Sequence, residues 1–152
     1  MTTSKPIYIG TFNGKPLRFF KSPHPGPQFP WHSQDDLYKC LGLDHGARSV
    51  LRKMTAQNWA DDVRIVDTEN GLVTIAPHCM AQGLIGAVAT AGRVFGKVSK
   101  TEDQLEAEYC VEVAKAGHVL TAGMSDQESM EYVLAAARNQ EDLRGGPKAA
   151  NR

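Results

Sequence analysis

The chain has 152 residues, a hydrophobic fraction of 41% and a formal net charge of zero. That is enough apolar material for one core of ordinary size, and no apolar run approaches the roughly 18 residues of a membrane span. The opening MTTSKPIYIG lacks the basic-then-apolar order of a secretory signal, so a cytoplasmic location is expected by exclusion.

Residues 6–20 carry the strongest hairpin signal. Two β-rich runs flank Asn13-Gly14, a pair suited to the positive φ angles of a type I′ turn. Lys21–Pro30 follows with four prolines and a glycine and reads as an extended surface loop. Ser33 then looks like an N-cap, with Asp35 and Asp36 in the first turn, where the helix dipole favours acids. Leu37, Cys40 and Leu41 form one face of this helix, and Gly42 offers a stop. Asp44 is a second N-cap, opening a helix whose expected buried stripe is Val50, Leu51 and Met54.

A second hairpin is expected from Val63–Asp67 and Leu72–Ile75, joined by Thr68-Glu69-Asn70-Gly71. Pro77 suits the first position of the next helix, with Met80, Leu84, Ala87 and Ala91 as its apolar face. Gly83 and Gly86 weaken that helix unless it packs closely on a neighbour. Thr101–Gln104 and Ser125–Glu128 are capping-box patterns. The helices they open present Leu105, Tyr109 and Val113, and then Met130, Val133, Leu134 and Ala137 at three-four spacing.

Hairpins and helices follow one another without βαβ alternation, which argues for an α+β fold. The expected architecture is two β-hairpins with a helical hairpin between them, one packed helix, and an acidic C-terminal helical pair. The expected division is an α+β domain over residues 1–95, an acidic helical hairpin over 100–144 and a disordered tail over 145–152, with Arg93–Lys100 as the connection.

The zero net charge hides an asymmetry. Residues 1–60 hold eight Lys/Arg against three Asp, or +5, and the remainder holds nine against fourteen, or −5. Such a field steers polyanions toward the first half and away from the last helices. On the second helix His45, Arg48, Ser49 and Arg52 share a face, with Lys53 beside them, and a major-groove helix needs such a face. Lys15 and Arg18 on the first hairpin could add phosphate contacts.

The rival expectation is a protein-binding module. Thr101–Asp142 sets ten carboxylates against Lys115 and Arg138, and Glu102, Glu106, Tyr109, Glu128 and Glu131 would meet a basic partner or a second copy. Catalysis has little to stand on. Cys79 lies in a helix's first turn, where a thiol pKa can fall, but the adjacent His78 cannot act as its base. The five histidines fit no metal spacing, and Cys40, Cys79 and Cys110 are read as buried small hydrophobes in apolar helical patterns. No catalytic residue, metal site or cofactor is expected. Trp31 and Trp59 are expected as core or lid residues, in one cluster with Phe19, Phe20 and Phe29.

From about Phe12 to Val88 the order of motifs resembles the amino-terminal domain of the BRO family, found in baculovirus repeated-ORF proteins and in phage antirepressors. Asn13-Gly14-Lys15-Pro16-Leu17 is similar to that family's opening hairpin, and Trp31–Leu37 to the entry into its first helix. Leu41-Gly42-Leu43 is similar to its apolar turn, Ala47–Leu51 to its second helix, and Ile75-Ala76-Pro77 through Ile85 to its closing strand and helix. The resemblance implies a DNA-binding regulatory protein of phage or mobile-element type, antirepressor-like.

Overall fold

The computed structural model describes residues 3–91 and 99–143, with side chains to residue 140. The Arg93–Lys100 connection and the 145–152 tail therefore lie largely or wholly outside the described residues. The first hairpin forms as expected from β1 (Tyr8–Phe12) and β2 (Lys15–Phe20), paired antiparallel from Tyr8↔Phe19 to Phe12↔Lys15. Asn13 and Gly14 take φ of 50° and 79°, the left-handed pair of a two-residue turn. The second hairpin is β4 (Arg64–Thr68) and β5 (Gly71–Ala76), joined by Glu69-Asn70 alone. Gly71, at φ 108°, begins the strand rather than sitting in the turn.

An unforeseen strand makes one sheet of the two hairpins. Trp31–Ser33 is β3, three residues long, antiparallel to β2 through Phe19↔His32 and Phe20↔Trp31 and to β5 through His32↔Ala76 and Ser33↔Ile75. The order is β1-β2-β3-β5-β4, and the fold is α+β. Period-2 alternation sends Phe19 and His32 to one face and Phe20 and Trp31 to the other. The first face carries the main core, where Phe12, Leu17 and Phe19 meet buried helical side chains such as Leu37, Leu41, Ile85 and Leu105. The second face holds a smaller cluster of Phe20, Trp31, Val73 and Ile75, with the His24 ring 5.4 Å from that of Trp31. The expected single aromatic cluster is thus divided by the sheet.

The chain leaves β3 directly into α1 (Gln34–Cys40), whose N-cap Ser33 accepts a hydrogen bond from Asp36 N at 3.1 Å. Because β3 is so short, β2 and β5 run past it with backbone amides unmatched. The first-turn acids of α1 fill the gap. Asp36 accepts from Arg18 N (3.0 Å), Nε (2.8 Å) and Nη2 (2.9 Å), and Asp35 accepts from Thr74 N at 3.0 Å. The residues expected merely to favour the helix dipole instead splice a helix onto both neighbouring strands.

After Gly42, α2 (His45–Asn58) starts at Asp44, whose side chain accepts from Ala47 N at 2.8 Å. The α3 helix (His78–Thr90) has Pro77 as its N-cap, so it begins one residue later than expected. Its buried stripe is Ala81, Leu84, Ile85 and Val88, rotated from the expected Met80, Leu84, Ala87 and Ala91. Close packing does not account for the two glycines of this helix: an added Cβ at Gly83 would meet nothing within 4 Å, and at Gly86 only the end of the exposed Glu102 side chain, at 2.7 Å.

The two capping boxes form: α4 (Glu102–Thr121) opens on Thr101 and Gln104, and α5 (Asp126–Leu143) on Ser125 and Glu128. The first of these helices corrects the expectation of a separate acidic hairpin. Leu105, Tyr109 and Ala116 belong to the main core with Phe12 and Phe19. The α4 carboxylates also reach the sheet, with Glu108 accepting from Asn13 N at 2.6 Å and Glu112 from the Tyr8 hydroxyl at 2.8 Å.

Beneath α4 lies a fully buried histidine. Gln34 Oε1 accepts from His32 Nε2 at 2.6 Å, leaving Nδ1 to face the Tyr109 hydroxyl at 3.4 Å. Burial disfavours the imidazolium and lowers the His32 pKa to about 4; the half-buried His78, stacked on Tyr109, is lowered for the same reason.

Two measurements test this arrangement. Asp36→Ala should lower stability by about 3 kcal/mol in urea unfolding, because it strands an arginine and a strand amide, and a loss under about 1 kcal/mol would contradict the splice. For His32 the folded pKa lies below the unfolded one, so the unfolded chain takes the proton first as pH falls. Stability should be full above about pH 6.5 and decline toward pH 4 by about 3 kcal/mol from this group. His32→Gln should flatten that part of the profile, and an unchanged slope would rule His32 out as its source.

Candidate functional site

The α2 helix is held at its ends and hardly at all along its length. Its 14 residues contain four basic side chains (His45, Arg48, Arg52 and Lys53) and no acidic one, and only Ala47 is buried. Leu51 and Thr55 are half-buried, so the inward stripe is Ala47, Leu51 and Thr55. This corrects the expected stripe: Val50 is 50% exposed and Met54 42%. At 100° per residue the opposite side carries His45, Ser49, Arg52 and Lys53, all exposed.

Arg48 turns away from this set. It is half-buried, and its Nε is enclosed without a hydrogen-bond partner. Arg52 is exposed but approaches Asp35 at 3.3 Å, a contact open to water and weak for that reason.

On the first hairpin the two candidates separate. Lys15 is exposed, its Nζ donating to the Lys39 carbonyl at 3.3 Å, and it remains on the surface. Arg18 is committed to Asp36 through three hydrogen bonds, and the two from its guanidinium raise that group's pKa further. Its expected role as a phosphate contact gives way to a structural one, because a bidentate pair and a backbone amide already occupy it. The structure therefore brings together His45, Ser49, Arg52 and Lys53, leaves Lys15 and Arg48 at the margins, and removes Arg18.

The candidate partner-binding residues also divide. Glu102, Glu128 and Glu131 are exposed and Glu106 half-exposed, whereas Tyr109 is 0% exposed and packs edge-on against Phe12. Tyr109 was misplaced because an aromatic at helical spacing is read equally well as a surface anchor or a core residue.

Sequence reasoning did not foresee the apolar groove between α2 and α3. It is about 410 Å³ and includes Met54, Trp59, Met80, Leu84 and Ala87 in its walls. Met80 and Ala87, expected in the core, line it instead, and Trp59 is 40% exposed there.

The cysteines depart from uniform burial. Cys40 is buried, with burial pushing its thiol pKa up to about 12, Cys79 is half-buried and Cys110 exposed. Among the described residues no group of three or more His, Cys, Asp or Glu side chains is placed to hold a metal ion, and no helix is long and apolar enough to cross a membrane. Set against family models, characterised proteins and solved structures, the chain matches none of them.

Proposed function

We propose that this chain is a DNA-binding regulatory module of antirepressor type, with α2 as the element that enters the major groove. The observation that carries the reading is the surface of α2. A helix serving only as scaffold buries a continuous stripe, and this one fully buries a single alanine while presenting His45, Ser49, Arg52 and Lys53 outward without an opposing acid on the same helix. Such a face suits a groove walled by phosphates, with arginine and serine able to reach base edges and lysine a phosphate oxygen.

The surroundings support it. Asp44 and the Gly42 turn fix where α2 begins, and α1, tied to two strands, supplies a rigid base for that turn. Fixed placement of the helix start matters for recognition because base contacts tolerate only small displacements. The order of hairpin, helical pair, hairpin and helix also follows what the BRO resemblance implies. Capture of a basic protein by the acidic helices is the weaker reading, since Tyr109, Glu108 and Glu112 are engaged within the fold.

Fluorescence anisotropy with a random duplex tests the proposal without knowledge of a target. Contacts from about four cations should make log K fall with log salt at a slope near −3.6, and Lys53→Ala should reduce that slope by about 0.9. Arg52→Ala should weaken binding, whereas Val50→Lys on the flank should strengthen it. Absence of binding at low salt would overturn the reading.

A further inference from the structure

The groove between α2 and α3 contains two polar side chains that the fold leaves half used. Gln34 and Tyr38 stand one turn apart on α1, are 4% and 1% exposed, and both line it. The Gln34 oxygen is taken by His32, which fixes the amide and turns its Nε2 the other way. Among the described residues neither that nitrogen nor the Tyr38 hydroxyl has a hydrogen-bond partner, a costly state for a donor so far from bulk water. Unlike the enclosed Arg48 Nε, both atoms still touch open space. The same two residues also line a second groove of about 460 Å³, bounded by α2, β4 and β5.

We infer that this is a binding site for a small neutral acyl compound, an amide, ester or ketone. Its carbonyl oxygen accepts from Gln34 Nε2 and the Tyr38 hydroxyl, and its apolar chain lies between α2 and α3. The site stands whether or not α2 enters DNA. An amide nitrogen can only donate, and a tyrosine hydroxyl donates readily, so what the pair recognises together is an acceptor. The two lone pairs of one carbonyl oxygen satisfy both.

The remaining walls suit a chain. Met80, Gly83, Leu84 and Ala87 lie at three-four spacing on the side of α3 toward α2, and Leu51 and Met54 oppose them. At about 410 Å³ the space falls within the range of small-molecule pockets. Gly83 keeps it open. An added Cβ there would meet nothing within 4 Å, so the glycine answers no packing need, and it weakens the helix relative to alanine. A side chain at this position would occupy the groove.

Charge selects a neutral head. The charged residues lining the two grooves are Arg52 and Arg64 against Asp35 and Asp62, which balance. Arg52 already leans on Asp35, and Arg64 Nη1 donates to the Asp61 and Val63 carbonyls at 3.5 and 3.1 Å. With both cations engaged, a carboxylate gains little to offset its loss of water, whereas a carbonyl loses far less.

Titration of the full chain with octanamide reads the site through Trp59, which stands in the groove wall; Trp31 is buried in the other cluster and gives a constant background. Emission should move to shorter wavelength and saturate, with a dissociation constant on the order of 0.1 mM. Tyr38→Phe keeps the ring and removes one donor, and should weaken binding about tenfold. Gly83→Leu should abolish binding yet melt no lower than the wild type, because the new side chain enters only the groove and leucine favours the helix. Octanoate should bind about tenfold more weakly than the amide, and octylamine, which offers no acceptor, should not bind. No saturable shift with octanamide up to its solubility limit would overturn the inference, as would unchanged binding in Gly83→Leu. Octylamine binding as tightly as octanamide would refute recognition of a carbonyl, and octanoate binding as tightly would refute the neutral head.

Discussion

Two adjacent carboxylates hold this fold together. A three-residue strand between two hairpins leaves amides on both neighbours without a ladder partner, and unmatched buried amides are costly. Asp36 and Asp35 act as a side-chain continuation of β3, one toward β2 and one toward β5. The Ser33 cap sets the first turn of α1 so that both can reach. Everything beyond the sheet inherits this junction. The direction of α1 fixes the Gly42 turn, the turn fixes the start of α2, and the main core closes over Leu37 and Leu41.

The same junction explains why the basic half is less basic than its composition. Of the cations in residues 1–60, Arg18 is drawn into the splice and Arg52 leans toward it. What remains outward is the set on α2 together with Lys5, Lys15, Lys21 and Lys39, which are exposed on other parts of the first half. Glu108 and Glu112 turn toward β1 and the turn after it, so part of the acidic excess is also spent internally. The charge asymmetry of the sequence is real, but much of it serves cohesion between elements distant in the chain.

Features decided within a few residues were legible in the sequence. The Asn13-Gly14 turn, the Ser33 and Asp44 caps and both capping boxes depend on local backbone geometry and appear where expected. Features decided by distant partners were not. The β3 strand is too short to show a period, and its pairing is imposed by the two hairpins. In α3 the small residues fit more than one stripe, and contact with the rest of the core selects Ala81, Ile85 and Val88. In α5 the pattern was legible but its direction was not, since hydrophobic spacing says that a face will be covered without saying by what. For the candidate interface, the helix and most of its outward cations could be read directly. The withdrawal of Arg18 and the inward turn of Arg48 depend on where Asp36 and the body of the protein lie.

The place of α4 in the main core has a consequence for how the protein is made. Tyr8 and Glu112 are 104 residues apart, and Asn13 and Glu108 are 95, yet both pairs bond the first strand region to α4. During synthesis the first hairpin therefore emerges long before the helix that shields Phe12 and Phe19. At roughly 5–20 residues per second the delay is about 5–20 s, with apolar side chains and a sheet edge accessible meanwhile. Long-range closure of this kind also slows folding of the complete chain. The nascent N-terminal half is thus the stage at which this protein is most open to aggregation and has most need of a chaperone.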